Sequence, residues 1–235
     1  MTVDKSPRRI SQMFGEIARR YDLLNHVLSA GMDRWWRRRT VRLAPPDGEG
    51  AVLDVCTGTA DLALAYWRAG SGRVPVIGAD FCRPMLEFGR RKCQRAGAAN
   101  LALVEADAQQ LPFPDHCFQV VSVAFGLRNL SDPDAGLREM TRVCRPGGRV
   151  AVLEFGMPRT RVLRALYEWY FRRVLPRLGQ ALARNRQEAY CYLPASVREF
   201  PQREALVARM QQAGLPQVRY YPLTFGIAGL YVGSP

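Results

Sequence analysis

Ala51-Val52-Leu53-Asp54-Val55-Cys56-Thr57-Gly58-Thr59-Ala60-Asp61-Leu62 is the stretch on which the reading of the fold turns. Its first five residues are apolar except for Asp54, which suits a strand covered on both faces, and from Ala60 to Ala69 the pattern becomes helical. The turn between them holds one glycine, Gly58. Outward from it, further apolar runs recur at Val74–Ala79, Leu101–Ala106, Phe118–Ala124 and Arg149–Phe155. Helical stretches at Arg83–Ala96 and Asp134–Cys144 lie among them, and Pro146-Gly147-Gly148 turns the chain into the fifth run. Strands that are apolar throughout and joined by helices predict a parallel sheet covered on both sides. One or two long helices are predicted over Thr160–Arg186 and another near Gln202–Ala213, before two last strands near Val218–Phe225 and Ile227–Val232. Upstream, Phe14, Ile17, Ala18 and Tyr21 recur at helical spacing in a section read as helix from Ser11 to Leu43, which Ala44-Pro45-Pro46-Asp47-Gly48 ends.

The expected fold class is therefore α/β: a doubly wound, mostly parallel seven-stranded sheet with helices on both faces, a C-terminal antiparallel hairpin and a helical N-terminal lid. One domain spans residues 1–235, with the lid at 11–44, a ligand-binding core at 50–156, a helical substrate-side insertion at 157–200 and a C-terminal helix and hairpin at 201–235.

Apolar residues make up 48% of the chain and charged residues 23%, the balance of an ordinary globular protein. No apolar run reaches the roughly eighteen residues that cross a bilayer, and Met1 to Arg9 lack the apolar centre of a signal peptide, so a cytoplasmic location is expected. Six cysteines (Cys56, Cys82, Cys93, Cys117, Cys144 and Cys191) form no Cys-x-x-Cys pair and have only His26 and His116 for company. They read as free thiols, and no metal is expected. The net charge of +13 is nearly all arginine, lysine occurring only at Lys5 and Lys92. Such a surface could meet nucleic acid or an anionic membrane, or reflect a compositional drift towards arginine.

In an open parallel sheet, ligands bind beyond the carboxyl ends of the strands, here at the turn after Val55. Gly58 lets the backbone approach a ligand closely, Thr59 and the amides of the helix start can receive a carboxylate, and Asp54 is placed to favour a cation. A dinucleotide would need the Gly-x-Gly-x-x-Gly spacing around its pyrophosphate, whereas this turn has one glycine and two aspartates, Asp54 and Asp61. S-adenosylmethionine has no phosphate and carries both a sulfonium and an ammonium, so the charge pattern favours it. Asp80 ends the second strand and can accept from ribose hydroxyls, while Asp107, after the third, can meet an adenine amine. Capping of the next helix is the simpler reading of each aspartate taken singly.

Several stretches carry a resemblance: Phe14-Gly15-x-Ile17-Ala18-x-x-Tyr21-Asp22-Leu23-Leu24-Asn25, Leu28-Ser29 through Trp36-Arg37-Arg38, and Asp107-Ala108-x-x-Leu111-Pro112-Phe113. Phe125-Gly126-Leu127-Arg128-Asn129, Arg142-Val143-x-Arg145-Pro146-Gly147-Gly148, Leu153-Glu154-Phe155 and Tyr192-Leu193-Pro194-x-Ser196-Val197 extend it over nearly the whole chain. Together they resemble the quinone-ring C-methyltransferases of menaquinone and ubiquinone biosynthesis, a family of Rossmann-like class I S-adenosylmethionine-dependent methyltransferases. The form of the first turn is more similar to the menaquinone branch. The resemblance implies cofactor contacts from Thr59, Asp80, Asp107 and Ala108, and from Ala124 through its backbone where relatives often have serine. Ala60, Asp33 and Gly156 depart from the glycine, histidine and serine common at those places, which weakens any chemical role for the side chains near Asp33, Ala124 and Gly156.

The activity so implied is methylation of a ring carbon of a prenylated hydroquinone, most simply demethylmenaquinol, with the ubiquinone precursor 2-methoxy-6-polyprenyl-1,4-benzoquinol as the alternative. Arg128 is the leading catalytic candidate, as a fixed cation that stabilises a phenolate or orders a water, and Asn129 could orient the hydroxyl. Arg128 could instead brace its loop against Asp132 or Asp134, and Asn129 could cap its own turn. Tyr21, Asn25 and Tyr190 are expected on the substrate side, with His26 a weaker candidate. Trp35, Trp36, Tyr167, Trp169, Tyr170 and Phe171 could line a channel for the prenyl tail or simply pack the core. The arginine-flanked helices Arg34–Arg42 and Arg159–Arg177 are candidate contacts for the inner face of the cell membrane. Nucleic acid is not expected as a partner and a homodimer is left open. RNA methylation, methylation in another small-molecule pathway, and a binding protein without catalysis remain the competing readings.

Overall fold

The computed structural model describes residues 5–170, 173 and 187–235. Seven strands form one sheet: β1 (Ala51–Val55), β2 (Val76–Asp80), β3 (Leu101–Glu105), β4 (Phe118–Ala124), β5 (Cys144–Phe155), β6 (Gln217–Leu223) and β7 (Ala228–Ser234). Their order is β3-β2-β1-β4-β5-β7-β6. The first five pair in parallel, and β7 runs antiparallel between β5 and β6. From β1 the chain winds outward to β2 and β3, then returns to place β4 on the other side of β1. That reversal opens a crevice beyond the carboxyl ends of β1 and β4, where doubly wound sheets bind ligands.

Helices α3 (Asp61–Ala69), α4 (Arg83–Arg95) and α5 (Pro133–Val143) join the parallel strands. Two apolar clusters form the core. One is centred on Leu53, Val121, Leu137 and Met140, the other on Trp36, Leu64, Tyr66 and Leu153. Side chains from β1 and β4 enter both clusters, which is why these strands read as apolar without alternation. Helix α8 (Glu204–Gln212) adds Leu206 and Met210 to the first cluster.

The lid is two helices, not the continuous one expected from Ser11 to Leu43. Helix α1 (Pro7–Leu28) and α2 (Met32–Leu43) are separated at Ala30 and Gly31, whose φ angles of 49° and 77° are left-handed and cannot continue a helix. Gly15 lets α1 lie close on α4, since a Cβ there would be 3.3 Å from Pro84 Cγ. Ile10 and Met13 pack on Tyr192 of α7 (Gln187–Glu199), and Ala18 packs on Cys82 and Met85. Trp36 is buried beneath α2 and donates its indole N–H to Thr224 Oγ1 at 2.8 Å, pinning α2 to the C-terminal strands.

Other boundaries moved less. Strand β2 begins at Val76, after Pro75, and β5 begins at Cys144, because the Pro-Gly-Gly segment lies within the extended chain. Of the helix expected over Thr160–Arg186, α6 (Arg161–Trp169) is described, and 174–186 lie outside the described residues. The same holds for Phe171. No described helix is long and apolar enough to cross a membrane.

Candidate active site

Two strained turns meet at the switch point. After β1, Cys56, Gly58 and Ala60 have φ angles of 51°, 56° and 67°; after β4, Phe125 has 59°. Left-handed backbone costs a residue with a side chain roughly 1–2 kcal/mol, so Ala60 holds a conformation better suited to glycine. Gly126 makes the meeting possible: a Cβ there would lie 2.4 Å from Cys56 Cβ, which a side chain could not relieve.

Asp54 is buried directly under the first turn. Its Oδ2 accepts from the Thr57 hydroxyl at 2.7 Å and its Oδ1 from Ser122 at 2.9 Å. Burial pushes its carboxyl up to about 7. Asp54 thus props the turn from below and is not among the residues lining the crevice. Asp80 does line it, beside Gly58, Met85, Ala124 and Phe125. Its Oδ2 accepts the Gly58 N–H and its Oδ1 the Cys82 N–H, both at 2.8 Å, while burial pushes its carboxyl up to about 6. The Gly58 amide, which a pyrophosphate would need, is therefore already committed to a carboxylate. An acceptor carboxylate in the crevice suits a ligand that brings hydroxyls, as S-adenosylmethionine does. Asp107 is exposed and accepts from Gln109 N–H at 2.9 Å, Ala108 is buried in the core, and neither is among the residues lining the crevice.

Arg128 lies on a short 3-10 turn, Leu127–Asn129, and only 5% of it is exposed. Its Nη1 donates to the Phe125 carbonyl and, at 3.0 Å, to Glu154 Oε2, while its backbone N–H reaches Glu154 Oε1 at 3.2 Å. The guanidinium also stands 5.2 Å over the Phe155 ring. The brace weighed from sequence, to Asp132 or Asp134, is not made. Asp132 caps α5 through the N–H groups of Asp134 and Ala135, and Asp134 faces Arg209. Glu154, not singled out from the sequence, is the partner, and its position just before Phe155 in the shared Leu-Glu-Phe motif was the available signal. Asn129 lines the crevice, donating to the Phe125 carbonyl at 3.3 Å and accepting from the Tyr192 hydroxyl at 3.0 Å. Tyr192 is itself buried, and its phenol is pushed up to about 12.

Phe125 also borders a second, larger cavity of about 460 Å³. Its far wall is apolar, with Pro158, Leu163, Leu166, Tyr167, Trp169 and Tyr170. The near wall comes from the lid helices and carries polar groups, Asn25, Ser29, Asp33 and Arg37. Asn25 thus faces the large cavity and Tyr21 the crevice, where burial raises the Tyr21 phenol. The side chain of Tyr190 lies outside the described residues. Of the proposed channel aromatics, Trp36, Tyr167, Trp169 and Tyr170 border the cavity, while Trp35 is an exposed side chain outside its lining.

A chain of charges joins lid to core. Lys92 Nζ on α4 is 2.5 Å from Asp22 on α1 and 2.6 Å from Asp61 at the start of α3, and it donates to Thr59 at 3.1 Å. The Thr59 hydroxyl in turn donates to Asp22 at 2.5 Å. Asp61 continues to Arg37 at 3.6 Å, and Arg37 to Asp33 at 2.5 Å. Asp33 ends the chain against Ser29 at 2.9 Å and His26 at 3.1 Å. His26 therefore sits behind Asp33 and is not among the residues of the cavity wall. Lys92 was noticed in the sequence only for its rarity, because its partners come from three separate helices and turns.

Known proteins resemble this chain along nearly its whole length. The model of the ubiE/COQ5 methyltransferase family matches residues 1–234. A Thermus thermophilus protein named demethylmenaquinone methyltransferase is 50% identical over 94% of this chain and 99% of its own length. A Geobacter sp. protein named ubiquinone/menaquinone biosynthesis C-methyltransferase UbiE is 44% identical, over 96% of each chain. Among solved structures, an S-adenosylmethionine-dependent methyltransferase of Thermotoga maritima, described as a possible histamine N-methyltransferase, superposes with a TM-score of 0.63. It is 16% identical over 95% of this chain and 98% of that one, a likeness of fold.

Lys92→Met would leave Asp22 and Asp61 facing Thr59 without their shared cation. Partly exposed pairs of this kind contribute about 0.2–1 kcal/mol each, so amide exchange along residues 7–28 is expected to speed up roughly three- to tenfold while the sheet stays protected. Unchanged exchange in α1 would show that its apolar contacts alone hold the lid.

Proposed function

The chain belongs to the ubiE/COQ5 methyltransferase family, and from that membership we propose that it methylates a ring carbon of a prenylated hydroquinone, with demethylmenaquinol as its substrate. The observation that carries this reading is the apolar cavity of about 460 Å³ that meets the crevice at Phe125. A cavity with polar groups on one wall and hydrocarbon on the other suits a small polar ring with a long apolar tail. The name of the Thermus thermophilus relative favours the menaquinone branch; the Geobacter name covers both.

S-adenosylmethionine, when bound, supplies an electrophilic methyl group on a sulfonium. In this proposal Asp80 holds its ribose hydroxyls and Asp107 its adenine amine. Ala108 and Ala124 contribute backbone contacts, and Gly58 and Thr59 border its amino-acid end. Asp54 keeps the turn in shape. The ring of the quinol lies against Phe125, between Tyr21 and Asn129 on one side and Asn25 on the other. Asn129, with its carbonyl oxygen fixed by Tyr192, is the member of the Arg-Asn pair that reaches the crevice. Arg128 stands behind it, positioning Phe125 by its carbonyl and contributing a buried positive charge that Glu154 partly offsets. Chemically, a quinol hydroxyl loses its proton, and the adjacent ring carbon takes the methyl group as the sulfur–methyl bond breaks and its electron pair stays on sulfur as a neutral thioether. The carbon-bound proton is then lost while the ring carbonyl oxygen takes one up, which restores the aromatic quinol. Fixing the carbon in line with the methyl group supplies the larger share of the acceleration, since effective molarities of about 10⁵–10⁸ M are attainable.

The tail needs an entrance. On α6, Val162, Leu166 and Trp169 fall on one helical face and are 79%, 59% and 56% exposed, and Phe225 is 78% exposed nearby in sequence to the cavity-lining Ile227. Arg159, Arg161 and Arg164 are exposed along the same segment. We propose this face as the contact with an anionic membrane, from which the substrate would enter.

Incubation with reduced demethylmenaquinone and methyl-labelled S-adenosylmethionine is expected to place label in the quinone fraction; no label, with cofactor binding confirmed, would refute the substrate assignment. Cofactor affinity measured by calorimetry is expected to be level above about pH 7 and to fall roughly tenfold per unit well below about pH 6, because the raised Asp80 carboxyl must be ionised to accept two hydroxyls. Asp80→Asn should bind weakly, without that dependence. Reversing Arg159, Arg161 and Arg164 to glutamate should cut sedimentation with phosphatidylglycerol vesicles at least about tenfold, each basic residue contributing about 1 kcal/mol; unchanged sedimentation would rule this face out.

A further inference from the structure

Asp33 is 5% exposed, yet it belongs to the wall of the large cavity, beside Arg37. Its Oδ1 meets the Ser29 hydroxyl at 2.9 Å and the His26 ring nitrogen at 3.1 Å, and its Oδ2 meets Arg37 Nη1 at 2.5 Å. A carboxylate offers about four acceptor positions, so the described contacts fill three of them. Burial pushes the Asp33 carboxyl up, but the Arg37 charge and the hydrogen bonds from His26, Arg37 and Ser29 outweigh it and hold the group below its ordinary value. The wall therefore presents a carboxylate, paired with Arg37, to a space that is apolar on its other side.

Such a group is costly to cover. A ligand pressed against it must give it a hydrogen, or strip its remaining hydration and return nothing. A site built around a buried acceptor rejects analogues without the matching donor far more strongly than an apolar pocket rejects a change in size. The two redox states of a quinone differ in this respect. The hydroquinone brings two O–H donors; the quinone brings only carbonyl oxygens, which would face the carboxylate with like partial charge. Reduction also matters to the chemistry, since only the hydroquinone has a nucleophilic ring.

We propose that the Asp33–Arg37 pair is the redox-state filter of the substrate site, Asp33 accepting the hydrogen of one hydroxyl of the reduced ring while Arg37 donates to the oxygen of that same hydroxyl. The inference rests on the quinol reading of the cavity given above. It assigns a specificity role to the buried ion pair of Asp33 and Arg37. Arg37 is suited to the task because Asp61 and Asp33 anchor its fork from two sides, so little side-chain freedom is lost on binding.

The full chain, without cofactor, can be titrated with a 2-geranyl-1,4-naphthoquinone and with its dithionite-reduced form under argon. Tryptophan fluorescence is the readout, because Trp36 and Trp169 border the cavity. The reduced form should bind roughly tenfold to a hundredfold more tightly, the range of an unmet buried acceptor. Asp33→Asn, which can donate to a carbonyl, should bring that ratio close to unity by weakening the quinol and strengthening the quinone. Should this variant fail to fold, the wild-type chain decides alone: 2-geranylnaphthalene, which has the ring and tail without oxygens, should bind no better than the quinone. Equal binding of both redox forms, an unchanged ratio in Asp33→Asn, or tight binding of the oxygen-free compound would overturn the filter and leave the substrate reading standing. Binding of neither redox form would overturn both.

Discussion

Lys92 is the interaction on which the arrangement of the site depends. Its ammonium serves Asp22 from the lid, Asp61 from α3 and the hydroxyl of Thr59 from the turn after β1. Three donors on a compact, rotatable head can meet three acceptors in different directions, which the planar fork of an arginine could not do as well. In a chain with only one other lysine, that difference gives the residue type a reason. Through Asp61 the same charge chain reaches Arg37 and Asp33, so the lid, the turn and the wall of the large cavity are coupled electrostatically. Burial strengthens the coupling towards its inner end. Lys92 and Asp22 keep part of their surface in water, whereas Arg37 and Asp33 are nearly enclosed, and breaking a buried pair costs about 3–5 kcal/mol.

The second organising feature is stored strain. Cys56 and Phe125 sit at the ends of neighbouring strands in left-handed backbone, and Gly126 allows their turns to touch. Such conformations persist only where the surroundings over-determine them. Here Asp54 holds the first turn through Thr57, and Arg128 holds the second through the Phe125 carbonyl. Phe125 then stacks on Phe155 with ring centres 4.2 Å apart, and Trp36 closes on both. The aromatic group between the two cavities is thus fixed from three directions, and fixed geometry is what alignment of a ring carbon requires.

The net charge of +13 divides between these duties and the surface. Arg142 clamps Glu139 and Asp115, Arg149 holds Asp47 and Arg209 faces Asp134, so much of the arginine is structural bracing. Arg161 and Arg164 lie beside the exposed face of α6, where charge and apolar side chains occur together, while Arg159 pairs with Glu204 at 2.7 Å.

The sequence by itself determined the order of strands and helices along the chain, the parallel character of the first five strands and the position of the turn after β1 at the switch point. These follow from local pattern: apolar runs of strand length, helical stretches between them, and a turn with one glycine and two aspartates. It also marked out Asp80, Phe125 and Asn129, which the structure brings together at the crevice, because motif and place on a strand end are both visible in one dimension. Tertiary structure alone decided that Asp54 works beneath its turn, that Arg128 answers to Glu154, and that Asp33, set aside as a departure from the family, stands in the cavity wall. It decided as well where the lid breaks, since the left-handed pair at Ala30 and Gly31 leaves the apolar spacing of the flanking helices intact. The physical reason is common to these cases. Patterns along the chain report which face of an element is buried, but the partner of a buried charge is chosen by three-dimensional proximity, and Arg128 and Glu154 are 26 residues apart, Lys92 and Asp61 31.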